Sequence, residues 1–211
     1  MPRTLYWVIG VLAAILATSP SLFRVFIPVK VALVPVLFYA WGRHLPKVFQ
    51  LGLFFAWVGD IALLWPEREE LFMVGMGGFT LMWVSYGVGW SRLPRTVRGV
   101  EYGLVAGAAL LLGASLIGYL WPALKGLFQV LVPTYAMVLV GTSWAAVRVR
   151  DIVLWLGLLS FWVSDALIAY MKFVAPMPHG DGWVMGLYAV GHGLIVAHTQ
   201  GVVERAGVGA R

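Results

Sequence analysis

The sequence predicts an all-α fold: a single transmembrane domain, residues 1–211, built as a bundle of eight helices. Composition points there first. Of 211 residues, 61% are hydrophobic and only 11% charged, with a mean hydropathy of +0.88, whereas a soluble domain carries about 25% charged residues. The apolar residues also gather into runs long enough to cross a bilayer as a helix, which takes about 20 residues with roughly 17 to 25 observed. Short turns rich in Pro, Gly or charge separate the runs and leave no linker for a second domain.

The first run, near 5–19, stops at "TSPS", where Pro20 blocks continuation. Arg3, a short apolar core and the small residues of "LATS" also fit a signal peptide; a retained helix is the expected state. The second run, 27–42, carries Lys30 near its start and ends in "GRHLPK". The third, 48–65, holds Asp60 and ends in "PEREE". The fourth, 71–90, contains "GMGG" and Tyr86 and is closed by "SRLPRTVRG". The fifth covers 100–121, and the sixth, 124–147, carries Tyr135. The seventh, 152–171, holds Asp165 with Lys172 just beyond it, and the last, 183–203, places Tyr188 and His192 four apart on one face.

Charge then orients the bundle. With eight spans, Arg3, Arg43, Lys47, Arg92, Arg95, Arg98, Arg148, Arg150, Arg205 and Arg211 share one side, against Arg24, Lys30, Arg68, Lys125 and Lys172 on or near the other. Cytoplasmic loops accumulate Lys and Arg, so both termini are expected in the cytoplasm. The same rule accounts for the pI of about 9.8, and no nucleic-acid partner is expected; the lipid bilayer is. The absence of cysteine excludes disulfides, thiolate nucleophiles and sulfur metal ligands.

Two of the runs share an oddity. "FFAWVGDIALLW" and "LSFWVSDALIAY" each place one carboxylate amid apolar residues, with Trp57, Val58 and Asp60 spaced as Trp162, Val163 and Asp165. At 1.5 Å per residue both acids lie roughly 20 Å from the cytoplasmic boundary, on helices running the same way. This pattern suggests a 4+4 parallel repeat. It also lets two acids meet at one level of the bundle.

A charge at mid-bilayer is unfavourable by about 2.5 to 3.5 kcal/mol on insertion scales, so acids there usually face the interior and carry function. The plainer role is an interhelical hydrogen bond, which contributes about 0.6 kcal/mol on average. A pair in matching contexts favours function. Paired carboxylates can divide into an acid that protonates and a base that activates water beside an oxocarbenium-like centre. A vinyl ether suits that logic, because protonating its outer alkene carbon gives such a cation. Ser160, Ser164 and Lys172 near Asp165 point to it as the base, and the apolar neighbours of Asp60 point to that residue as the acid. Lys30 and Lys172 fall at the same outer end, where they can hold a phosphate or simply snorkel. Tyr86, Tyr135, Tyr188 and His192 are candidates to line the pocket or to pin helices.

The runs "FAWVGDIALLW", "GMGGFTLMWVSY" and "LGLLSFWVSDALIAYMKF" resemble the YhhN family of eight-span membrane proteins, whose characterised animal members are lysoplasmalogenases. The resemblance covers most of the chain from the second span onward, and "SDALIAYMKF" with Gly59-Asp60 is its most specific part. It implies hydrolysis of the vinyl ether bond of a lysophospholipid substrate, without a cofactor, in a bacterial inner membrane. By position it assigns the paired catalytic acids to Asp60 and Asp165, and substrate contacts to Lys30, Tyr86, Tyr135 and Lys172. Tyr188 and His192 join these as pocket candidates. The chain departs from the family at Trp83, where histidine is frequent, and at His192, where glutamine is frequent.

The rival reading is a proton-coupled transporter, because intramembrane acids and repeats occur there too. Against it, only "GMGG" hints at a broken transport helix. No metal is expected: His192 and His198 are about 120° apart around an ideal helix and cannot share a site.

Overall fold

A computed structural model describes residues 1–96 and 99–207; Arg98 and Arg211, counted in the charge argument, lie outside the described residues. Eight α-helices occupy these residues, and no strand does: α1 (Pro2–Ala17), α2 (Phe23–Ala40), α3 (Lys47–Ala62), α4 (Glu69–Ser91), α5 (Gly99–Leu120), α6 (Phe128–Val147), α7 (Ile152–Phe173) and α8 (Gly180–Arg205). The predicted spans thus fall on the observed helices. Pro20 and Pro46 mark the turns before α2 and α3 as the sequence suggests, and Asp151 caps α7 by accepting from the amides of Val153 and Leu154 at 3.1 and 3.0 Å.

Five helical segments are both long and apolar enough to cross a membrane: 20–40, 69–91, 106–123, 128–147 and 152–173. The other three differ for physical reasons. Helices α1 and α3 are apolar but only 16 residues long. Helix α8 has 26 residues but carries His192, His198, Thr199 and Gln200, with Glu204 and Arg205 at its end. Its polarity follows from its position.

The helices form a closed ring in the order α1, α2, α3, α4, α6, α7, α8, with α5 packed outside α6 and α7. Side chains of α8 reach across the interior, where Trp90 Nε1–H of α4 donates to Thr199 at 3.1 Å. Tyr6 of α1 donates to the Ala189 carbonyl of α8 at 2.6 Å, so the first helix is a packed part of the bundle. Glycines allow the closest approaches. A Cβ on Gly78 would meet Gly59 N and Phe55 O at 2.9 Å, and one on Gly191 would meet Phe161 N at 2.7 Å and Gly157 O at 2.8 Å. These contacts press α4 onto α3 and α8 onto α7, the helices that carry the two aspartates. The outer faces are apolar in helical stripes, such as Ile152, Leu156, Leu159 and Val163 of α7, as a lipid-facing surface requires.

Candidate active site

Asp60 sits near the end of α3, and its side chain is 3% exposed. Gly59 beside it lets α3 close on α4, because a Cβ there would touch the Phe79 ring at 3.0 Å. The carboxylate turns to α8, where it accepts a 2.5 Å hydrogen bond from the Tyr188 hydroxyl. Tyr188 and His192 are about one turn apart, so the Tyr188 oxygen also lies 3.1 Å from His192 Nδ1. His192 Nε2 lies 2.9 Å from the Tyr86 hydroxyl of α4. With the Tyr188 hydrogen donated to Asp60, the His192 tautomer that carries its proton on Nδ1 satisfies the chain, Nδ1–H donating to Tyr188 and Nε2 accepting from Tyr86. In that tautomer every donor in the chain points toward Asp60.

Asp165 is half-buried on α7 and accepts a 2.6 Å hydrogen bond from the Tyr135 hydroxyl of α6. Trp83 Nε1–H of α4 donates to that hydroxyl oxygen at 3.1 Å. Each carboxylate therefore rests on its own tyrosine. The Phe161 ring joins the two groups, 4.8 Å from Trp83 and 5.2 Å from Tyr188 between centroids. The neighbours that the sequence offers Asp165 are engaged elsewhere. Ser160 and Ser164 donate to the Leu187 and Val184 carbonyls at 2.9 and 3.0 Å, and Lys172 donates to the Pro66 carbonyl at 2.7 Å. The division of acid and base drawn from those residues loses its grounds.

A cavity of about 710 Å³ lies where the α1–α2, α3–α4 and α7–α8 turns come together. Its wall is mostly apolar, with Lys30 and Lys172 on it. Lys30 is only 7% exposed. Its ammonium makes one long hydrogen bond, 3.4 Å to the Leu63 carbonyl, and stands 5.8 Å from the Phe26 ring centre. Lys172 lies 5.0 Å from the centre of the Phe72 ring. Among the described residues neither lysine forms a salt bridge. A second cavity, of about 60 Å³, borders Tyr135 and Asp165. Leu63, Phe72 and Ile168 line both cavities and partition them. Asp60 is about one turn before Leu63 and Leu64, which line the larger one.

The structure thus gathers the candidate residues into three places. Lys30 and Lys172 line the large cavity, Tyr135 and Asp165 the small one, and Tyr86, Tyr188 and His192 border neither, forming the hydrogen-bonded chain behind Asp60. Trp83 is expected in the pocket only as a departure from the family. Its signal was available, since it departs from the family at the position that here supplies a donor to Tyr135. Glu67 and Asp181, which line the large cavity, were also missed.

Together these features define a helical membrane bundle with two tyrosine-held carboxylates and, partitioned from them, a mostly apolar cavity that carries two lysines. The chain belongs to the YhhN family, whose model matches residues 5–199, beginning inside α1 rather than at the second span. Lysoplasmalogenase TMEM86A of Homo sapiens is 29% identical over 155 residues, covering 69% of this chain and 62% of the relative. Lysoplasmalogenase TMEM86A of Bos taurus is 28% identical over the same shares. The chain spans less than two thirds of the length of these curated relatives. No solved structure matches it.

Proposed function

We propose that the protein is a lysoplasmalogenase: a membrane hydrolase that cleaves the vinyl ether bond of a lysophospholipid by acid/base catalysis between Asp60 and Asp165. The observation that carries the reading is Lys30, a buried ammonium with one long hydrogen bond on the wall of a mostly apolar cavity. Such a group calls for an anion, and the apolar wall calls for a hydrocarbon on the same molecule. A lysophospholipid supplies both. The cavity volume also falls in the roughly 300–1,000 Å³ range of small-ligand sites. Membership of the YhhN family and the names of the two relatives support the reaction type.

In this mechanism one aspartic acid delivers a proton to the outer carbon of the C=C–O group, and the cation that forms is an oxocarbenium ion. The other carboxylate takes a proton from water as its oxygen bonds to the carbon next to the ether oxygen. The resulting hemiacetal collapses: its hydroxyl returns a proton to the carboxylate left by the first step, the carboxyl protonated by water gives its proton to the glycerol oxygen, and the bond between that oxygen and the hemiacetal carbon breaks. The products are a fatty aldehyde and a glycerophospho-base, and one water is consumed. Tyr188 and Tyr135 hold the two carboxyl groups in place through this cycle.

The test is product release from purified protein in detergent given a 1-alkenyl lysophospholipid. Aldehyde and glycerophospho-base appearing in equal amounts by mass spectrometry is the expected result. No aldehyde above the protein-free rate overturns the reading. Proton-dependent uptake by reconstituted protein, without cleavage, would favour the transporter instead.

A further inference from the structure

The two carboxylates both rest on tyrosines, but the groups behind those tyrosines differ in kind. Behind Tyr188 stands His192, an imidazole that carries its proton on either nitrogen. With the proton on Nδ1, the ring donates to Tyr188, which donates to an Asp60 carboxylate; with it on Nε2, the ring accepts from Tyr188, which accepts from an Asp60 carboxylic acid. That chain fits Asp60 with or without its proton. Behind Tyr135 stands Trp83, whose indole N–H only donates. The Tyr135 oxygen is therefore occupied on that side, and its single hydrogen goes to Asp165 Oδ2. Among the described residues no other hydrogen bond or salt bridge reaches the Asp165 carboxylate, so Oδ1 is open. Asp165 also lines the 60 Å³ cavity, where every other lining residue except Tyr135 is apolar. A water needs about 10–15 Å³ of such space. The cavity admits one, and its polar corner is Asp165 with Tyr135.

We infer that Asp165 is the base of the reaction, that the small cavity seats the water it activates, and that Trp83 is a positioning residue acting on Asp165 through Tyr135. The inference rests on the acid/base reading and assigns its roles. Water held against Oδ1 gives one proton to that oxygen as its own oxygen bonds to the oxocarbenium carbon, while Oδ2 keeps the Tyr135 hydrogen throughout. Asp60, which lines neither cavity, is left as the acid. Its adaptable chain suits a group that gives a proton in one step and regains it in another. An indole behind Tyr135 removes that freedom, because a group that also accepted would let the Tyr135 hydrogen turn away from Asp165.

Azide tests the roles, because this anion bonds to an oxocarbenium carbon without a base. Given a 1-alkenyl lysophospholipid, D165A with azide is expected to form the azido ether, seen by mass spectrometry: Asp60 protonates the alkene carbon, the azide electron pair closes the C–N bond, and solvent reprotonates Asp60. D60A with azide lacks the acid and should form none. An adduct from D60A, or none from D165A while the wild type releases aldehyde, overturns the assignment; a wild type without turnover overturns it together with the acid/base reading. W83F should lower kcat about tenfold, the reach of one hydrogen bond, with KM unchanged because Trp83 lines neither cavity. In a Y135F background it should lower kcat no further; a loss that persists there marks packing alone and overturns the positioning role. The link is also read without turnover. In protein with isotope-labelled tryptophan, one of the 11 indole N–H resonances should move in both Y135F and D165N and stay in D60N, and the absence of such a resonance overturns the role of Trp83 whatever the assays give.

Discussion

At the scale of single residues, both aspartates are held by one short hydrogen bond from a tyrosine, yet of the two only Asp165 lines either of the cavities described above. Both are needed if they act as a pair. Asp60→Asn and Asp165→Asn should each lower turnover by at least about a hundredfold, within the usual contribution of an acid or base, while the protein stays inserted and monodisperse. Near wild-type aldehyde release from either variant would show that the pair is not the catalyst. A different carboxylate governs stability. Asp151 caps α7 and meets His198 Nδ1 at 3.1 Å and Arg205 at 3.3 Å. Burial pushes its carboxyl up, but the amide of Leu154, His198 and the amide of Val153 outweigh burial and hold it below the usual carboxylate range. A group lowered on folding stabilises above its unfolded pKa and loses that contribution as pH falls through the folded value. Asp151→Ala should therefore cost about 1 kcal/mol at neutral pH, and thermal unfolding should show the deficit narrowing in acid. What the sequence made legible at this scale was residue identity: an acid inside a run of Leu, Phe and Trp is conspicuous. The partner was not. Ser160 and Ser164 are near Asp165 along the helix but face α8, whereas Tyr135 arrives from α6, and only lateral packing decides which hydroxyl is within reach.

At the scale of helices, the sequence carried more, because length, hydropathy and turn residues are local. All eight helices are legible from Pro and charge at their ends, five of them long and apolar enough to cross a membrane. The pairing of helices was not, since it depends on which glycines meet. Gly191 is the tightest such position, with backbone on the far side that cannot rotate away. Gly191→Ala should force α8 from α7 and cost about 1–3 kcal/mol, as overpacking does, whereas Gly141→Ala, with nothing within 4 Å of its added Cβ, should be close to neutral. Thermal unfolding of the two variants in detergent tests the contrast. Because Gly191 precedes His192, its variant should also loosen the chain to Asp60, and lose activity beyond its loss of stability.

At the scale of the whole molecule, the proposed duplication gains a structural counterpart. Gly52 packs against Tyr86 as Gly157 does against Gly191, and Gly59 packs against Phe79 as Ser164 bonds Val184, each pair displaced by the Asp60-to-Asp165 offset. The ring itself departs from a 4+4 repeat, because α1 lies in it whereas α5, its counterpart, packs outside. Orientation rests on the charge bias alone, and it has a direct check: reporters fused at Arg211 and inserted in the "PEREE" turn should read cytoplasmic and external, and the reverse would invert the bundle. The polar, inward-facing side of α8 has a further consequence, for biogenesis. A helix with this many polar residues partitions poorly into lipid alone, and it is the last of the eight to leave the ribosome. It must be received by helices already in the membrane, with Asp60, Tyr86 and Trp90 offering partners to Tyr188, His192 and Thr199 as it enters. Synthesis thus completes the site and the insertion of its least apolar helix in one step, and a chain stopped before α8 would hold Asp60 in the bilayer without its tyrosine.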